Sequence, residues 1–298
     1  MAFHCLTLPS NLKLPFILAR RFVAAETLDG TLPIISALNA RGIEVALDRL
    51  GEYTTSREHA AAARDAYIAI VHTIAETRNP TPVRANISIK LSAMGQKIDY
   101  DFCLSNLKRL LEVARRHDVF VRLDMEGSDV TASTLRIFET VYPEFPDHVG
   151  PVLQAYLHRT ARDVERMCEL NARVRICKGA YREPASIAYQ HMGEIRERFM
   201  GYAERLIRHA RYPGIATHDR QLIDGTKSFV QENTVPVDRF EFQMLYGIRP
   251  ALQDQLVDEG FNMRVYVPYG TEWLPYFSRR LRERKENVWF VVRHLFRS

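Results

Sequence analysis

A single repeating unit constrains the fold of this chain more than any other feature of its sequence. Each unit starts with a short apolar, often β-branched run that usually ends in a polar or charged residue, and a longer stretch with helical spacing of apolar residues follows. Because neighbouring parallel strands need a crossover connection, this alternation predicts a parallel sheet flanked by helices. The eight runs are residues 45–48, 85–90, 119–124, 151–154, 174–178, 214–218, 240–243 and 263–268.

The number of predicted strands separates two fold types. Six strands are typical of an open doubly wound sheet, whereas eight predict closure into a barrel. The Gly-x-Gly-x-x-Gly fingerprint of open dinucleotide-binding sheets and the Walker A loop are both missing from the sequence. We therefore predict an α/β fold in which residues 1–298 form a single (β/α)8 barrel domain with a short N-terminal segment. The clearest helical stretches are residues 57–78, 101–117, 220–232, 250–259 and 274–285.

Composition and charge exclude several classes of protein. The chain is 46% hydrophobic and 26% charged, which provides ample material for a core, and its net charge is +5. Its arginines are scattered among acidic residues, as in the segment 159–166, so we expect solvated helix faces and no nucleic-acid partner. The four cysteines form no CxxC pair and no zinc-like spacing, and no metal is expected. No apolar run approaches the length of a spanning helix, and we expect a cytoplasmic protein.

Polar residues at the ends of the predicted strands indicate the functional face. The carboxyl ends of barrel strands converge on the working face of this fold, so these side chains are expected to meet. Arg175 lies inside its strand, where a buried cation needs an anionic partner. Each residue taken alone also fits a helix cap or an internal ion pair, but the same position recurs in successive units. The strand-end residues are Lys90, Asp124, Gln154, Lys178, Thr217, His218, Gln243 and Tyr266.

This set of side chains leaves several chemistries open. Cations at a barrel mouth suit an anionic ligand, and Arg279 with Arg280 could form a fork for a carboxylate. Their spacing taken alone favours surface ion pairs with Glu283 and Glu286. Lys90 or Lys178 could instead form a Schiff base, as in barrel aldolases. A catalytically inactive barrel acting as a basic scaffold is a third interpretation. No His-Glu-x-x-His or Gly-x-Ser-x-Gly motif supports a metal or serine hydrolase.

Eight sequence segments, in order along the chain, resemble the proline dehydrogenase family. The resemblance is to the short monofunctional bacterial enzymes and to the matching domain of bifunctional proline-utilisation flavoproteins, and it covers roughly residues 20–293. Single segments would be weak indicators, but eight in family order are specific. They are SIKLSA (88–93), RLDME (122–126), VLQAY (152–156), RICKGAY (175–181), ATH (216–218), EFQMLYG (241–247), RVYVP (264–268) and YFSRRL (276–281).

The resemblance implies an activity as well as a fold. It implies FAD-dependent oxidation of L-proline to 1-pyrroline-5-carboxylate by hydride transfer to the flavin, the first step of proline degradation to glutamate. The electrons would pass to a membrane quinone, which implies peripheral contact with the inner face of the membrane. A separate 1-pyrroline-5-carboxylate dehydrogenase would complete the oxidation.

The resemblance also implies roles for individual residues. Asp124 and Arg175 would be the catalytic residues, with Arg175 close to the flavin. The strand-end carboxylate of Asp124 could hydrogen-bond a neighbouring tyrosine such as Tyr266 or tune the local field, and we expect it to orient its neighbours and not to abstract a proton. Arg279 and Arg280 would clamp the proline carboxylate together with Lys90, and Glu283 would orient the arginine pair. The proline ring would be walled by Tyr181, Leu245, Tyr266 and Tyr276. FAD would be held by Met125, Gln154, Arg175, Lys178, Gly179, Ala180, Thr217 and His218.

Overall fold

Eight parallel strands close into a barrel in the computed structural model of the chain, with neighbours in sequence order. The structure describes residue 16 and residues 19–51, 54–77 and 83–283, the last five of these by backbone only. Strand β8 pairs with β1 in parallel from Met263 against Ile43 to Tyr269 against Arg49, which closes the barrel. The predicted (β/α)8 barrel is therefore confirmed. The strands are β1 (Ile43–Arg49), β2 (Ala85–Ile89), β3 (Val121–Leu123), β4 (Val149–Gln154), β5 (Arg175–Cys177), β6 (Gly214–Ala216), β7 (Glu241–Leu245) and β8 (Met263–Tyr269).

Helices alternate with the strands and cover the outside of the barrel. The predicted helical stretches coincide with α2, α3, α7, α8 and α9 as far as the described residues extend. Helix α1, which precedes the first strand, was not predicted. Most of the predicted N-terminal segment lies outside the described residues. The helices are α1 (Leu28–Ala40), α2 (Arg57–Glu76), α3 (Tyr100–Arg116), α4 (Ser128–Val141), α5 (Thr160–Glu169), α6 (Met192–His209), α7 (Arg220–Glu232), α8 (Pro250–Asp258) and α9 (Trp273–Glu283).

Side-chain caps set the starts of several helices. The Asp99 carboxylate accepts the Phe102 amide at 2.8 Å ahead of α3, and the Ser56 hydroxyl accepts the His59 amide at 3.2 Å ahead of α2. Such caps satisfy amides that have no partner within the helix. Leu107, Leu110 and other apolar residues of α3 then face the barrel and are fully buried. No helix in the described ranges combines the length and hydropathy needed to cross a bilayer.

A second, smaller apolar cluster fixes the start of α9 over the carboxyl end of the barrel. It joins Phe22, which precedes α1, to Leu50 and Ile248, which follow strands β1 and β7, and to Trp273 and Phe277 of α9. The rings of Trp273 and Phe277 lie 5.9 Å apart, edge to face. This packing holds the first turns of α9 beside the strand ends where the candidate site lies.

The interior of the barrel is polar, whereas barrels of this type are usually filled with branched apolar side chains. Arg264 on β8 donates to both carboxylate oxygens of Glu241 on β7, at 2.8 and 2.9 Å, and both residues are buried. Burial alone would raise the pKa of Glu241, but the guanidinium of Arg264 lowers it below its usual value. The carboxylate is therefore held ionised by a paired cation inside the barrel.

Candidate active site

The carboxyl ends of the strands surround one cavity of about 740 Å³. The structure places most of the predicted site residues in its wall, as expected for the working face of a barrel. Arg279, Arg280 and Glu283 lie on α9, but their side chains are outside the described residues, so their roles stay predictions. The predicted residues that line the cavity are Lys90, Asp124, Met125, Gln154, Arg175, Lys178, Gly179, Ala180, Tyr181, Thr217, His218, Gln243, Leu245, Tyr266 and Tyr276.

Asp124 lies between a cation and a phenol. Its Oδ1 accepts from Nη1 of Arg175 at 2.8 Å, and its Oδ2 accepts from the hydroxyl of Tyr266 at 2.7 Å. Burial and the negative charge of Asp124 raise the pKa of Tyr266 well above its usual value, so the phenol keeps its proton and remains a donor. The expected hydrogen bond between Asp124 and Tyr266 is thus present. With both oxygens engaged, the carboxylate is arranged to orient its neighbours.

Three acceptors hold the guanidinium of Arg175, one on β2, one on β7 and one directly after β3. Besides Asp124, its Nε donates to the side-chain oxygen of Gln243 at 2.5 Å, and its Nη2 donates to the hydroxyl of Ser88 at 3.2 Å. The side chain is 8% exposed, and its carbon Cζ lies 5.4 Å from the centre of the Tyr266 ring. The anionic partner that a cation inside a strand requires is therefore Asp124.

Lys90 is paired with an aspartate that was not predicted as part of the site. Its amino group lies 2.9 and 3.1 Å from the two carboxylate oxygens of Asp48, whose side chain is fully buried. Burial raises the pKa of Asp48 and the ammonium of Lys90 opposes that shift. Asp48 ends the first apolar run in the same way that Asp124 ends the third, and this signal could have identified it.

The loop after β5 packs closely against the ring of Tyr156 at Gly179. Gly179 has a φ of +121°, and a Cβ atom at this position would lie 2.3 Å from the ring of Tyr156. Only glycine fits both the conformation and the space. The side chain of Gln154 then bridges two loops, because it donates to the carbonyl of Glu126 at 3.0 Å and accepts the amide of Ala180 at 3.4 Å.

Two cations share one carboxylate at the ends of strands β5 and β6, away from the Lys90–Asp48 pair at β1 and β2. The Oδ2 atom of Asp219 accepts from Lys178 at 3.0 Å and from Arg196 at 2.8 Å, while its Oδ1 accepts the Gln221 amide at the start of α7. Burial would raise the pKa of Asp219, but the hydrogen bonds from Arg196 and Lys178 lower it to about 2. The cluster keeps a net positive charge beside a helix N-terminus, an arrangement that suits an anionic group such as a phosphate. Arg196 and Asp219 were not predicted.

Thr217 and His218, which follow strand β6, each accept a backbone amide. Nε2 of His218 accepts the backbone amide of Leu245 at 2.8 Å, and the Thr217 hydroxyl accepts the amide of Asp219 at 3.1 Å. These bonds help to hold Leu245 in the cavity wall and the Asp219 carboxylate within reach of Lys178 and Arg196. Among the described residues, no three His, Cys, Asp or Glu side chains are grouped as metal ligands.

The whole arrangement suits a small carboxylic acid together with an anionic cofactor. Ion-paired cations lie at two places in the cavity wall, and tyrosine and leucine side chains line the same cavity. An apolar wall with a few fixed polar groups is typical of a small-molecule site.

Comparisons with known proteins agree with this geometry. The sequence model of the family described as "Proline dehydrogenase" matches residues 31–293. The chain is 38% identical over 280 residues to Proline dehydrogenase 1 of Bacillus subtilis (strain 168), which covers 94% of this chain and 91% of that protein. It is also 38% identical over 285 residues to Proline dehydrogenase of Deinococcus radiodurans, with 94% and 91% covered.

Larger proteins contain a similar barrel. The chain is 28% identical over 317 residues to the bifunctional protein PutA of Escherichia coli (strain K12), and it spans 24% of that protein. The crystal structure of proline utilization A from Bdellovibrio bacteriovorus inactivated by N-propargylglycine matches with a TM-score of 0.83 and 25% identity, over 89% of this chain and 32% of the other. Because the family match spans nearly the whole chain and its barrel, this chain belongs to the proline dehydrogenase family.

Proposed function

We propose that this chain is an FAD-dependent enzyme that oxidises L-proline to 1-pyrroline-5-carboxylate and delivers the electrons to a membrane quinone. Membership of the proline dehydrogenase family supports the first step of proline catabolism. The observation that carries the proposal is the convergence of Asp124, Arg175 and Tyr266 with cationic side chains in one cavity. A separate 1-pyrroline-5-carboxylate dehydrogenase is the expected consumer of the product.

The reaction removes two electrons and two protons from proline. The C5–H bond breaks and its hydrogen leaves as a hydride with both bonding electrons, the ring nitrogen loses a proton, and a C5–N double bond forms. FAD, when bound, would supply the two-electron acceptor and the connection to the quinone. The residues of this chain are left with the tasks of binding, orientation and electrostatic stabilisation, and none needs to act as a nucleophile.

Orientation of proline would rest on its carboxylate. Lys90 is fixed by two contacts to Asp48, so its ammonium is held at the strand end and not free to rotate. Arg279 and Arg280 are the proposed fork for the same carboxylate, and a bidentate clamp fixes both position and direction. Tyr266, Leu245, Tyr276 and Tyr181 line the cavity and would enclose the ring.

Arg175 would stabilise the negative charge that develops during the reaction. Its guanidinium is already held by three acceptors, so no reorientation is required when that charge appears. Asp124 keeps this cation in place and receives the Tyr266 hydroxyl. We propose that both residues act on the reacting groups through this fixed arrangement.

The residues present fit FAD. Lys178 and Arg196 share the single carboxylate of Asp219, which leaves positive charge for a pyrophosphate. The Gly179 loop lies tight on Tyr156 and exposes its backbone to the cavity, as loops that hold dinucleotides do. Met125, Gln154, Ala180, Thr217 and His218 complete the proposed binding set, because all of them line the same cavity.

A Schiff-base enzyme is less compatible with this geometry. Both strand-end lysines engage carboxylates, Lys90 with Asp48 at 2.9 Å and Lys178 with Asp219 at 3.0 Å. Such pairing holds the amino groups as ligands for anions.

The net charge of +5 would favour peripheral contact with the anionic inner face of the membrane, where the quinone is found.

The first test is an absorbance spectrum of the purified protein before and after anaerobic addition of L-proline. Bound-flavin bands that bleach with proline are expected. A flavin that ignores proline would keep the flavoprotein and overturn the substrate. A protein that is colourless and stays so after FAD is added would overturn the proposal.

N-propargylglycine, which inactivates the Bdellovibrio protein, is expected to cause time-dependent loss of activity here as well.

A further inference from the structure

A continuous row of hydrogen bonds runs from the candidate active site into the barrel. Asp124 accepts from Arg175 at 2.8 Å, and Nε of Arg175 donates to the side-chain oxygen of Gln243 at 2.5 Å. The side-chain nitrogen of Gln243 then donates to Glu241 at 2.5 Å. Glu241 is in turn held by Arg264 through two bonds of 2.8 and 2.9 Å. All members except Asp124 are buried, and the row therefore joins a buried ion pair to the site.

The partners on either side determine which way the Gln243 amide points. A guanidinium can only donate and a carboxylate can only accept, so the amide oxygen faces Arg175 and the amide nitrogen faces Glu241. A glutamine is the side chain that can link a cation to an anion here while remaining neutral. A glutamate would place two carboxylates in contact and add a second negative charge beside Arg175. A leucine would leave the buried Nε donor of Arg175 without its partner, and Glu241 would keep only its two bonds from Arg264 among those described here.

Strand β6 provides the space for this amide. Gly214 lies on β6 beside β7, where a glycine weakens a strand and often marks a close approach. A Cβ atom at position 214 would lie 2.4 Å from Nε2 of Gln243 and 2.9 Å from its Cδ, and the three nearest atoms all belong to Gln243. A side chain at position 214 would therefore displace the Gln243 amide.

We propose that Gln243 is a positioning residue for Arg175, and that Gly214 keeps the space for it. The amide fixes the plane of the guanidinium through Nε, and Asp124 is the one carboxylate among the described residues that bonds Arg175. Arg175 thereby retains a cationic face toward the cavity. This inference rests on the proposed function, in which that charge stabilises the developing negative charge.

The experiment compares Gln243→Leu, Gln243→Glu and Gly214→Ala in the FAD-loaded enzyme. Gln96→Leu is the matched control, because Gln96 is also a buried glutamine, but it bonds Ser133 and Thr134 outside the cavity. Four quantities are measured: kcat and KM for proline, the dissociation constant of cyclopentanecarboxylate, the midpoint potential of the bound flavin, and the unfolding temperature. Cyclopentanecarboxylate has the ring and the carboxylate but no nitrogen to oxidise.

The proposal predicts a separation of catalysis from binding. In Gln243→Leu and Gly214→Ala, kcat should fall about tenfold or more, since the orientation of a charged group is lost. The dissociation constant of cyclopentanecarboxylate should stay within about twofold, because its carboxylate contacts are unchanged. Gln243→Glu should lower the flavin midpoint potential, because the added carboxylate offsets the charge of Arg175. Gln96→Leu should change the unfolding temperature alone.

A double variant tests the match between the glycine and the glutamine. Gly214→Ala should lower the unfolding temperature in the wild-type background and have little effect in Gln243→Ala, where the displaced side chain is missing. Additive effects, an unchanged kcat in Gln243→Leu or an unchanged potential in Gln243→Glu would overturn the inference while the wild type still oxidises proline. A wild-type protein without proline oxidation would overturn the proposed function instead, and the non-additivity of the double variant could still be measured.

Discussion

Removing the hydroxyl of Tyr266 takes away one of the two side-chain bonds that hold Asp124. The bond is 2.7 Å long and its acceptor is a carboxylate that is 12% exposed. A hydrogen bond to a charged group contributes roughly 1.5–3 kcal/mol, and cavity water can replace part of it, so Tyr266→Phe should lose about 1.5 kcal/mol of stability. Among the described side chains, only Arg175 would still bond the Asp124 carboxylate.

The same change should affect catalysis more than a hydroxyl deletion elsewhere. Asp124 would gain freedom to rotate, and Arg175 with it, so kcat/KM for proline should fall about tenfold, which corresponds to about 1.4 kcal/mol in the transition state. Tyr142→Phe is the matched control. Its hydroxyl donates to the carbonyls of Leu170 and Asn171 at 3.0 and 3.1 Å, far from the cavity wall.

Urea unfolding and steady-state kinetics of the two variants provide the comparison. We expect both to lose stability, by about 1 kcal/mol in Tyr142→Phe, and only Tyr266→Phe to lose kcat/KM. If Tyr266→Phe kept wild-type kcat/KM while losing as much stability as Tyr142→Phe, the phenol would support the fold only. The orienting role of Asp124 would then have no basis in this contact.

Four further predictions follow from the same contacts. Tyr266 should crowd a hydroxylated ring, so kcat/KM for hydroxyproline should be below that for proline, and equal values would refute this. Asp124→Asn should slow the reduction of the flavin by proline, measured by single-turnover flavin bleaching, because Arg175 loses its carboxylate. Gly179→Ala should weaken FAD retention, measured by fluorescence titration, because its Cβ would collide with the Tyr156 ring. The pKa of Glu241 is lowered below its ordinary value of 4.5, so its stabilising contribution is present above about pH 4.5 and is lost as the pH falls through the folded-state pKa. Glu241→Gln should therefore flatten the loss of stability on acidification, seen in unfolding curves recorded as the pH falls below about 4.5, whereas the wild-type slope would contradict the assignment.

The barrel could be predicted because each of its strands is a short apolar run that can be recognised in the sequence. Every apolar run identified in the sequence became a strand, and residues 220–232 formed a helix over the predicted range. Helix α1 was not predicted, because Gly30 and Pro33 interrupt its apolar spacing. Thr27 caps this helix, and its buried residues Ile35 and Leu38 pack into the main core. Tertiary packing therefore overrides a weak local propensity there.

The site was only partly predictable for a similar reason. Strand-end residues such as Lys90 and Gln154 converge because the barrel topology places them there. Arg196 comes from α6, and its arrival at Asp219 depends on how that helix packs, which no spacing in the sequence encodes. Asp219 follows the predicted strand-end pair and caps α7, so its sequence position alone indicates only a helix start. The clamp formed by Arg279 and Arg280 stays a prediction.

The polar interior explains how this barrel can hold a fixed cation at its mouth. Burying charges inside a strand layer costs stability unless each is paired, and an apolar filling would often be as stable or more so. Here the pairing extends through the barrel, from Arg264 and Glu241 to Gln243 and then Arg175. Each side chain is held by neighbours on other strands or further along its own, so the guanidinium can move only if several bonds break together. The buried polar pairs thus cost the interior some stability but hold the Arg175 guanidinium rigidly at the site. Electrostatic catalysis requires a charge that is already fixed in position before the reaction.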